Sequence, residues 1–327
     1  MIISRAPFRV SFVGGGTDIA YFYEQQRGAV VSCSIDKFIY IELHPYFWKD
    51  RIQAKYSKTE NVSSVEDLKH DTFRVIAKKY GLIGQEMSCT SDIPAGTGMG
   101  SSSAFTVALL NAVHSSQSRF RSKTQLADEA CEIEIEELGA PIGKQDQYAS
   151  ALGGLNFIEF MPNHEVVATP INLSRENQST LESNLALFFT GISRSANDLL
   201  AQQRQDVVGD TSKFNSLKLM SGLANELNAE LRSGNIGALG TLLHDNWRLK
   251  MSLNAGIADI NINALYEAGL EAGADGGKLL GAGGGGFLLF YCPLAKKQEL
   301  IARMEQLGLK HLPFCIEYSG TQIIHAS

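Results

Sequence analysis

Glycine is concentrated in three short windows, and these windows constrain the fold of the chain more than any other feature of its sequence. Eleven of the 31 glycines lie within residues 14–16, 96–100 and 281–286. Each window adjoins a segment with a strand or helix pattern, which indicates ordered turns rather than flexible linkers. Because glycine lacks a Cβ atom, the backbone in these windows can approach a ligand or another chain segment closely.

Segments with strand and helix patterns follow one another without regular alternation. The predicted strands are 1–13, 29–43, 153–162, 185–191 and 287–292, with a final strand or hairpin at 315–324. The predicted helices are 65–80, 101–114, 122–138, 262–272 and 296–307, with a long helical region at 195–251. This order favours an α+β protein over a parallel α/β one. The length of 327 residues suits two domains, and we expect these at 1–170 and 171–327.

The second window, PAGTGMGSSSAF at 94–105, has the composition of a phosphate-binding loop. Glycines on alternate positions leave backbone N–H groups accessible, and the predicted helix that follows favours an anion at its N-terminus. Ser101, Ser102 and Ser103 add hydroxyl donors and an oxygen ligand suited to Mg²⁺. A glycine-rich turn with a serine N-cap is the structural alternative. A Walker A loop is excluded, because G-x-x-x-x-G-K-[ST] occurs nowhere in the chain.

The third window, GAGGGG at 281–286, matches the dinucleotide motif G-x-G-x-x-G only formally. That motif lies between a strand and a helix, whereas here a helix precedes the window and a strand follows it. We therefore expect a loop in close contact with either a ligand or a neighbouring chain segment.

The first window, FRVSFVGGGTD at 8–18, places Arg9 within a predicted strand and Asp18 just after a glycine turn. Asp18 has the chemistry to accept hydrogen bonds from a polyol substrate. On local sequence alone, a turn residue is the favoured interpretation.

Glu134 is an acidic residue on the apolar side of a predicted helix. On a helical wheel of residues 126–138, Glu134 falls near the middle of the apolar side and Glu137 near its edge. A buried carboxylate needs a cation, a metal ion or hydrogen-bond donors. The alternatives are that the inner face is rotated or that the glutamate reaches out to solvent.

Asp146 follows that helix after a short loop, in GAPIGKQDQYAS. The local sequence favours a helix N-cap for Asp146. For Lys144, two residues earlier, a functional role and a solvent-exposed side chain are equally consistent with the sequence.

Charge and cysteine content exclude several classes of protein. The net charge of -6 argues against a protein that coats nucleic acid or a membrane surface. The five cysteines are odd in number and form no C-x-x-C pair, and the seven histidines lack metal-binding spacing, so no histidine-based metal site is expected. With neither a signal-peptide pattern nor an apolar run of membrane-spanning length, we expect a cytoplasmic protein.

Taken together and in this order, the windows resemble the motifs of the GHMP superfamily, the kinases named for galactokinase, homoserine kinase, mevalonate kinase and phosphomevalonate kinase. The matching segments are APFRVSFVGGGTD, PAGTGMGSSS and KLLGAGGGG, together with GKQDQYA. The resemblance implies two α+β domains, the first similar to ribosomal protein S5 domain 2 and the second ferredoxin-like, with the active site between them.

Within the superfamily, GGGTD, GKQDQYASALGG, FTGISRSANDLL and LLGAGGGGFLLF resemble the branch of heptose phosphate kinases. That branch implies transfer of the ATP γ-phosphoryl group, with Mg²⁺, to the anomeric hydroxyl of D-glycero-D-manno-heptose 7-phosphate, on the route to GDP-heptose for surface polysaccharide. Gly15 and Gly16 replace the acidic and histidine positions of galactokinases, which argues against galactose. The expected partner is a small-molecule sugar phosphate, with neither nucleic acid nor membrane, and a homodimer is left open.

The resemblance also implies roles for individual residues. Asp146 takes the place of the catalytic aspartate and Arg9 that of its basic partner, while Ser102 and Glu134 take the places of the metal ligands. The phosphate loop comprises Pro94, Gly96, Thr97, Gly98, Met99, Gly100, Ser101, Ser102 and Ser103. The acceptor site comprises Gly14, Gly15, Gly16, Thr17, Asp18, Gly283 and Gly284.

Lys144 and Arg194 are further candidates, for the distal phosphate of the acceptor. An anionic sugar phosphate needs a cation in an otherwise acidic protein. For Arg194, a structural salt bridge is the alternative.

Two other functions are open on the sequence alone. One is a kinase for the anomeric hydroxyl of another sugar, similar to the fucokinases. The other is a sensor that binds a nucleotide or sugar without turnover, although the joint presence of Arg9, Glu134 and Asp146 argues against it.

Overall fold

The computed structural model describes residues 1–192, 209–253, 260–281 and 283–327. In these residues the strands form one sheet of eight and one of four. The strands are β1 (Ile2–Val13), β2 (Gly28–Pro45), β3 (Ile52–Lys55), β4 (Thr59–Val62), β5 (Gln85–Ser91), β6 (Leu155–Phe160), β7 (Val166–Pro170), β8 (Leu185–Phe189), β9 (Gly276–Leu279), β10 (Phe287–Tyr291), β11 (Lys310–His311) and β12 (Gln322–Ala326). The helices are α1 (Ala20–Tyr23), α2 (Asp71–Tyr80), α3 (Ser101–Ser116), α4 (Lys123–Cys131), α5 (Gln145–Leu152), α6 (Arg175–Asn184), α7 (Thr211–Ser233), α8 (Ala238–Leu253), α9 (Ile260–Glu271) and α10 (Leu294–Gln306). The predicted α+β class is confirmed.

The first sheet is organised around β2, a strand of 18 residues. Its strand order is β12-β1-β2-β5-β3-β4, and β6 and β7 branch from β2. The first half of β2 pairs with β6 and its second half with β5. Apart from the parallel pair β3–β5, the pairs in this sheet are antiparallel. Helices α3 and α5 pack on β1 and β2, which brings their N-termini to one end of the sheet's central strands.

The second sheet has the order β11-β8-β10-β9, and all its pairs are antiparallel. Every residue of β10 is buried, as its continuous apolar run predicts. The core of this half gathers large side chains from the sheet and from α8 and α9, among them Phe188, Trp247, Tyr266 and Phe290.

Two helices of the first half depart from their predicted bounds. Helix α2 begins at Asp71 rather than at residue 65, because a 3₁₀ turn at Val65–Asp67 is followed by extended backbone at Leu68. Helix α4 starts with a capping box at Ser122, where the predicted helix begins, but it ends at Cys131, and the chain continues as a π-helix, Glu132–Glu137. Hydrophobic spacing does not distinguish a π turn from an α turn over so short a segment.

Later elements also differ from their predicted bounds. The predicted long helical region contains α7 and α8, which are separated at Gly234, a left-handed C-cap. Its beginning, residues 195–208, lies outside the described residues. The last strand begins at Gln322 rather than at residue 315, and Ile316 forms only an isolated bridge with Ile35.

The third glycine window packs against the second. A Cβ atom on Gly281 would lie 2.4 Å from the Cα atom of Gly98, and one on Gly286 would lie 2.3 Å from the carbonyl oxygen of Thr97. Of the two interpretations left open for this window, contact with a neighbouring chain segment is therefore confirmed. The neighbouring segment is the predicted phosphate loop.

We propose a domain boundary near residue 170. Strands β1–β7 precede it and belong to the first sheet, whereas β8–β11 follow it and form the second. Strand β12 is the exception, because it returns from the C-terminal half to pair with β1. In the described parts of the chain, no helix has both the length and the apolar composition that a bilayer crossing requires.

The contact between Gly98 and Gly281 predicts a specific loss of stability. Gly281 has φ +69° and no room for a Cβ atom, whereas Gly81 has φ +63° with nothing within 4 Å. Both Gly281→Ala and Gly81→Ala add about 1–2 kcal/mol of backbone strain, and only Gly281→Ala adds about 1–3 kcal/mol of overpacking. We therefore expect a lower urea midpoint for Gly281→Ala than for Gly81→Ala. Equal midpoints would contradict the close packing of the two windows.

Candidate active site

A cavity of about 690 Å³ lies where the three glycine windows meet. In the first half, its lining comes from β1 and the first window, from the start of α2, from the second window with the start of α3, and from the π-helix and the chain that joins it to α5. The second half contributes Lys250 and Leu253 from α8, Lys278 from β9, and Gly281. Both halves of the chain thus form the walls of one cavity.

The second window forms a loop of left-handed glycines that ends at the N-terminus of α3. Gly96, Gly98 and Gly100 have φ values of 74°, 78° and 76°, and all three line the cavity. The N-cap of α3 is Gly100, with no side-chain cap, so the alternative of a serine N-cap is wrong. The exposed N–H groups of the first turn are therefore available to an anion.

The predicted phosphate-loop residues divide into two groups. Gly96, Gly98, Gly100 and Ser101 to Ser103 line the cavity, whereas Pro94, Thr97 and Met99 do not. Thr97 donates from its hydroxyl to the carbonyl of Pro94 at 3.0 Å, and Met99 is buried in the core. These three residues contribute to the conformation of the loop without lining the cavity.

Glu134 is buried at the base of the cavity and accepts three hydrogen bonds. Its Oε1 atom accepts from Ser102 Oγ at 2.6 Å, and its Oε2 atom accepts from Ser103 Oγ at 2.8 Å and from Gln147 Nε2 at 2.7 Å. Burial raises the pKa of Glu134, and these donors oppose the shift. The helical wheel placed Glu134 correctly, and both alternatives to a buried carboxylate are wrong.

Arg9 and Asp146 form a two-pronged ion pair beside the phosphate loop. Arg9 Nε donates to Asp146 Oδ1 at 2.7 Å, and Arg9 Nη2 donates to Asp146 Oδ2 at 3.0 Å. The remaining Nη1 donates to the carbonyl oxygen of Gly98 at 2.6 Å. The N-cap of α5 is Lys144, so Asp146 lies in the first turn and is not the N-cap that the local sequence favoured.

Asp18 lies at the same end of the cavity and is only 2% exposed. Its Oδ1 atom accepts from the backbone N–H of Gly16 at 3.0 Å and from Gln145 Nε2 at 3.2 Å, and its Oδ2 atom accepts from the backbone N–H of Gln145 at 3.2 Å. Burial, and secondly the charge of Asp146, raise the pKa of Asp18. Asp18 is thus both a turn residue and a residue that lines the cavity.

The rest of the first window supports this corner in different ways. Gly15 and Gly16 line the cavity. Thr17 is buried and donates from its hydroxyl to the carbonyl of Gly14 at 2.8 Å, and the N–H of Gly14 donates to Asn246 Oδ1 at 3.0 Å. Thr17 and Gly14 therefore fix the turn rather than face the cavity.

Other predicted acceptor residues are not brought to the cavity. Lys144 Nζ donates to the carbonyl of His164 at 2.9 Å and lies over the Tyr23 ring, an arrangement that does not support its predicted role. Gly283 and Gly284 do not line the cavity either, although Gly281 does. Arg194 lies outside the described residues.

Sequence reasoning missed two buried lysines that line the cavity. Lys250 is 7% exposed and Lys278 is 2% exposed. Lys250 Nζ donates to the carbonyl of Gly281, and Lys278 Nζ donates to the carbonyl of Phe12. A helical wheel of α8 would have found Lys250, which lies on the stripe of Leu243, Trp247 and Leu253 at spacings of three and four.

Comparisons with known proteins agree with this geometry. The sequence model described as "GHMP kinases N terminal domain" matches residues 67–154, and "GHMP kinases C terminal" matches 227–309, together more than half of the chain. The chain is 28% identical over 317 residues to the D-glycero-alpha-D-manno-heptose 7-phosphate kinase of Campylobacter jejuni, covering 93% of each protein.

Two solved structures resemble the whole chain. One is a D-glycero-D-manno-heptose 1-phosphate kinase from Bacteroides thetaiotaomicron, with 24% identity, a TM-score of 0.81 and 100% of both chains covered. The other is a putative sugar kinase from Campylobacter jejuni, with 27% identity, a TM-score of 0.78 and 98% and 97% of the two chains covered. The names of the first structure and of the curated relative both specify a heptose phosphate but differ in the phosphate position.

The raised pKa of Asp18 predicts how the effect of Asp18→Asn on the free energy of unfolding depends on pH. Its pKa in the folded protein lies above the ordinary 3.8, so the ionised carboxylate destabilises the fold, and this cost grows as the pH rises from about 4 until the folded pKa is passed. We expect the wild type to lose free energy of unfolding, relative to Asp18→Asn, as the pH rises above about 4 in urea titrations.

Effects of the asparagine amide itself are independent of pH and do not change this slope. In an Asp146→Asn background the slope should be smaller, because one cause of the shift is gone. A stability difference that is constant with pH, or that moves in favour of the wild type as the pH rises, would contradict a raised pKa for Asp18.

Proposed function

The chain belongs to the GHMP kinase family, and on that premise we propose that it transfers the γ-phosphoryl group of ATP to the anomeric hydroxyl of D-glycero-D-manno-heptose 7-phosphate. In this reaction the bond between the γ-phosphorus and its bridging oxygen breaks, and a bond to the anomeric oxygen forms. ADP leaves, and the proton of the hydroxyl passes to the enzyme. The product is heptose 1,7-bisphosphate.

The observation that carries the proposal is the position of Asp146 beside the phosphate loop. A Cβ atom on Gly100 would lie 3.2 Å from Asp146 Oδ2, and Arg9 joins Asp146 to the carbonyl of Gly98. A carboxylate at this position faces both a phosphate held by the loop and a hydroxyl acceptor in the cavity. Phosphoryl transfer requires mainly such positioning and charge stabilisation.

Asp146 orients the acceptor hydroxyl and takes its proton in this proposal. The two-pronged bond from Arg9 holds the carboxylate in one orientation. Arg9 is 4% exposed, so its charge acts in a region from which water is largely excluded. It also balances the negative charge that develops on the acceptor oxygen.

Ser102 and Glu134 fit a Mg²⁺ site. Mg²⁺ in kinases is held by one or two carboxylates together with substrate phosphates and waters. Ser102 Oγ and Glu134 Oε1 are 2.6 Å apart at the phosphate loop. The described residues contain no cluster of three or more His, Cys, Asp or Glu side chains that could hold a metal without such help. The bound ion would neutralise charge on the phosphates, and Gln147 and Ser103 would keep the carboxylate in place.

The acceptor lies against Asp18 and the first window in this proposal. Asp18 presents a buried carboxylate to sugar hydroxyls, and Gly15 and Gly16 leave room beside it. The heptose phosphate is supported by the names of the similar proteins rather than by a contact in the cavity. Arg194 is retained as a prediction for the distal phosphate.

An acceptor panel tests the proposed function. ADP release should be fastest with D-glycero-D-manno-heptose 7-phosphate, and slow or absent with mannose 6-phosphate, fucose and galactose. Excess EDTA should stop the reaction, and added Mg²⁺ should restore it. Faster turnover of fucose would favour a fucokinase-like enzyme, and ATP binding without ADP release on any acceptor would favour a sensor.

Asp146→Asn should lower kcat by at least about a hundredfold, the lower range for loss of acid-base assistance, with ATP affinity nearly unchanged. ATP affinity is measured by calorimetry, so that a general loss of folding is recognised. Glu159→Gln is the matched control, because Glu159 pairs with Arg27 away from the cavity. Near-normal turnover of Asp146→Asn would remove Asp146 from this role.

A further inference from the structure

Lys250 is a cation placed on the apolar face of a helix. On α8 it follows Leu243 and Trp247 and precedes Leu253, all of them buried. Burying an ammonium group is costly unless it is paired. In the described part of the chain, Lys250 forms no ion pair with a carboxylate, and its one hydrogen bond is to the carbonyl of Gly281. Because an ammonium group has three donors, two N–H groups of Lys250 are left for a partner in the cavity.

The neighbours of Lys250 place it at the reacting end of the cavity. Gly281, which accepts its hydrogen bond, touches Gly98 of the phosphate loop, and Gly98 accepts a hydrogen bond from Arg9. The charges that act on Lys250 are those of Arg9 on β1 and Asp18 in the loop after β1. Lys250 is therefore separated from the phosphate loop by a single residue, on the side where Asp18 lies.

Charge compensation distinguishes Lys250 from Arg9. The charge of Arg9 is balanced by the two-pronged bond to Asp146. Lys250 and Lys278 are buried near each other, and the charge of Lys250 acts on Lys278. Lys278 is tied to the carbonyl of Phe12 at 3.0 Å. In the described residues neither lysine forms an ion pair with a carboxylate, and both line the cavity, whose proposed substrates are anions.

We propose that Lys250 is a catalytic residue that contacts the non-bridging oxygens of the phosphoryl group during its transfer from ATP to the acceptor. This inference rests on the proposed function. The C-terminal half thereby supplies a cation opposite the phosphate loop, and Gly281 fixes the amine in position before substrates bind. Lys278 lies near Lys250 and is held by its hydrogen bond to the carbonyl of Phe12.

The pH dependence of activity follows from the environment of Lys250. Burial, and secondly the charge of Arg9, lower the pKa of Lys250 to about 8, while Asp18 acts in the opposite direction. Helix α8 packs against β1, α7, β9 and β10; from these elements and the loop after β1, the charged groups that face Lys250 are Arg9, Lys278 and Asp18. Since the cation is the active form, kcat/KM should fall as the pH rises through about 8.

The first test separates kcat from KM. Lys250→Met should lower kcat by about a hundredfold, the effect of removing one donor to a transition state, with little change in either KM. Lys250→Arg should recover part of kcat and lose the decline near pH 8, because arginine stays charged. Arg248→Met removes an exposed cation from the same helix and should behave as wild type. A normal kcat for Lys250→Met, or a rise only in the KM of the phosphorylated acceptor, would overturn the proposal, and the latter would assign Lys250 to the distal phosphate.

A second test does not depend on the acceptor. ADP with aluminium fluoride mimics the phosphoryl group in transfer, and it should bind Lys250→Met about a hundredfold more weakly than wild type, as expected for a transition-state contact. ADP alone should bind both proteins equally, which shows that the variant is folded. If wild type and Lys250→Met bind ADP with aluminium fluoride equally well, the role of Lys250 is overturned even if the heptose phosphate is the acceptor. Weaker binding would uphold it even if the acceptor panel fails.

Discussion

The ion pair between Arg9 and Asp146 is the interaction on which the site depends. It joins β1, the first turn of α5 and, through the carbonyl of Gly98, the phosphate loop. Because Arg9 is almost fully buried, removing either partner would leave an unpaired charge in a poorly solvated region, a loss of about 3–5 kcal/mol in comparable buried pairs. The same pair fixes the carboxylate that we propose to face the acceptor. Fold stability and catalytic geometry therefore rest on the same two side chains.

Three consecutive residues in the first turn of α5 each contact a different charged residue of the cavity. At the start of α5, Gln145 bonds to Asp18, Asp146 bonds to Arg9, and Gln147 bonds to Glu134. Successive side chains on an α-helix point about 100° apart, so three consecutive residues can reach Asp18, Arg9 and Glu134. A shift of this turn would displace all three contacts together. In the segment GKQDQYA, the two glutamines as well as the aspartate therefore contribute to the geometry of the site.

Local patterns predicted much of the fold and part of the site. The end of α2 at Tyr80, the start of α3 at Ser101 and the start of α4 after its N-cap Ser122 depend on neighbouring residues, and these predicted bounds are confirmed. Glu134 was found because its burial follows from helical spacing, and Lys250 was available to the same reasoning. The contact of Gly281 with Gly98 joins segments more than 180 residues apart, and no local pattern predicts it. Asp146 was misjudged locally for the same reason, since its partner Arg9 lies on β1.

The cavity gathers ionisable groups that are poorly accommodated in the absence of substrates. Burial raises the pKa of Asp18 and of Glu134, and it lowers the pKa of Lys250 and of Lys278. Each shift opposes the charged form, so the folded protein bears a desolvation cost in the cavity. That cost is useful only if ligands of opposite charge relieve it: a divalent cation and hydroxyl donors at the carboxylates, and phosphate oxygens at the lysines. A site arranged in this way stabilises a charged transition state without reorganising itself during the reaction, which is the requirement that phosphoryl transfer imposes.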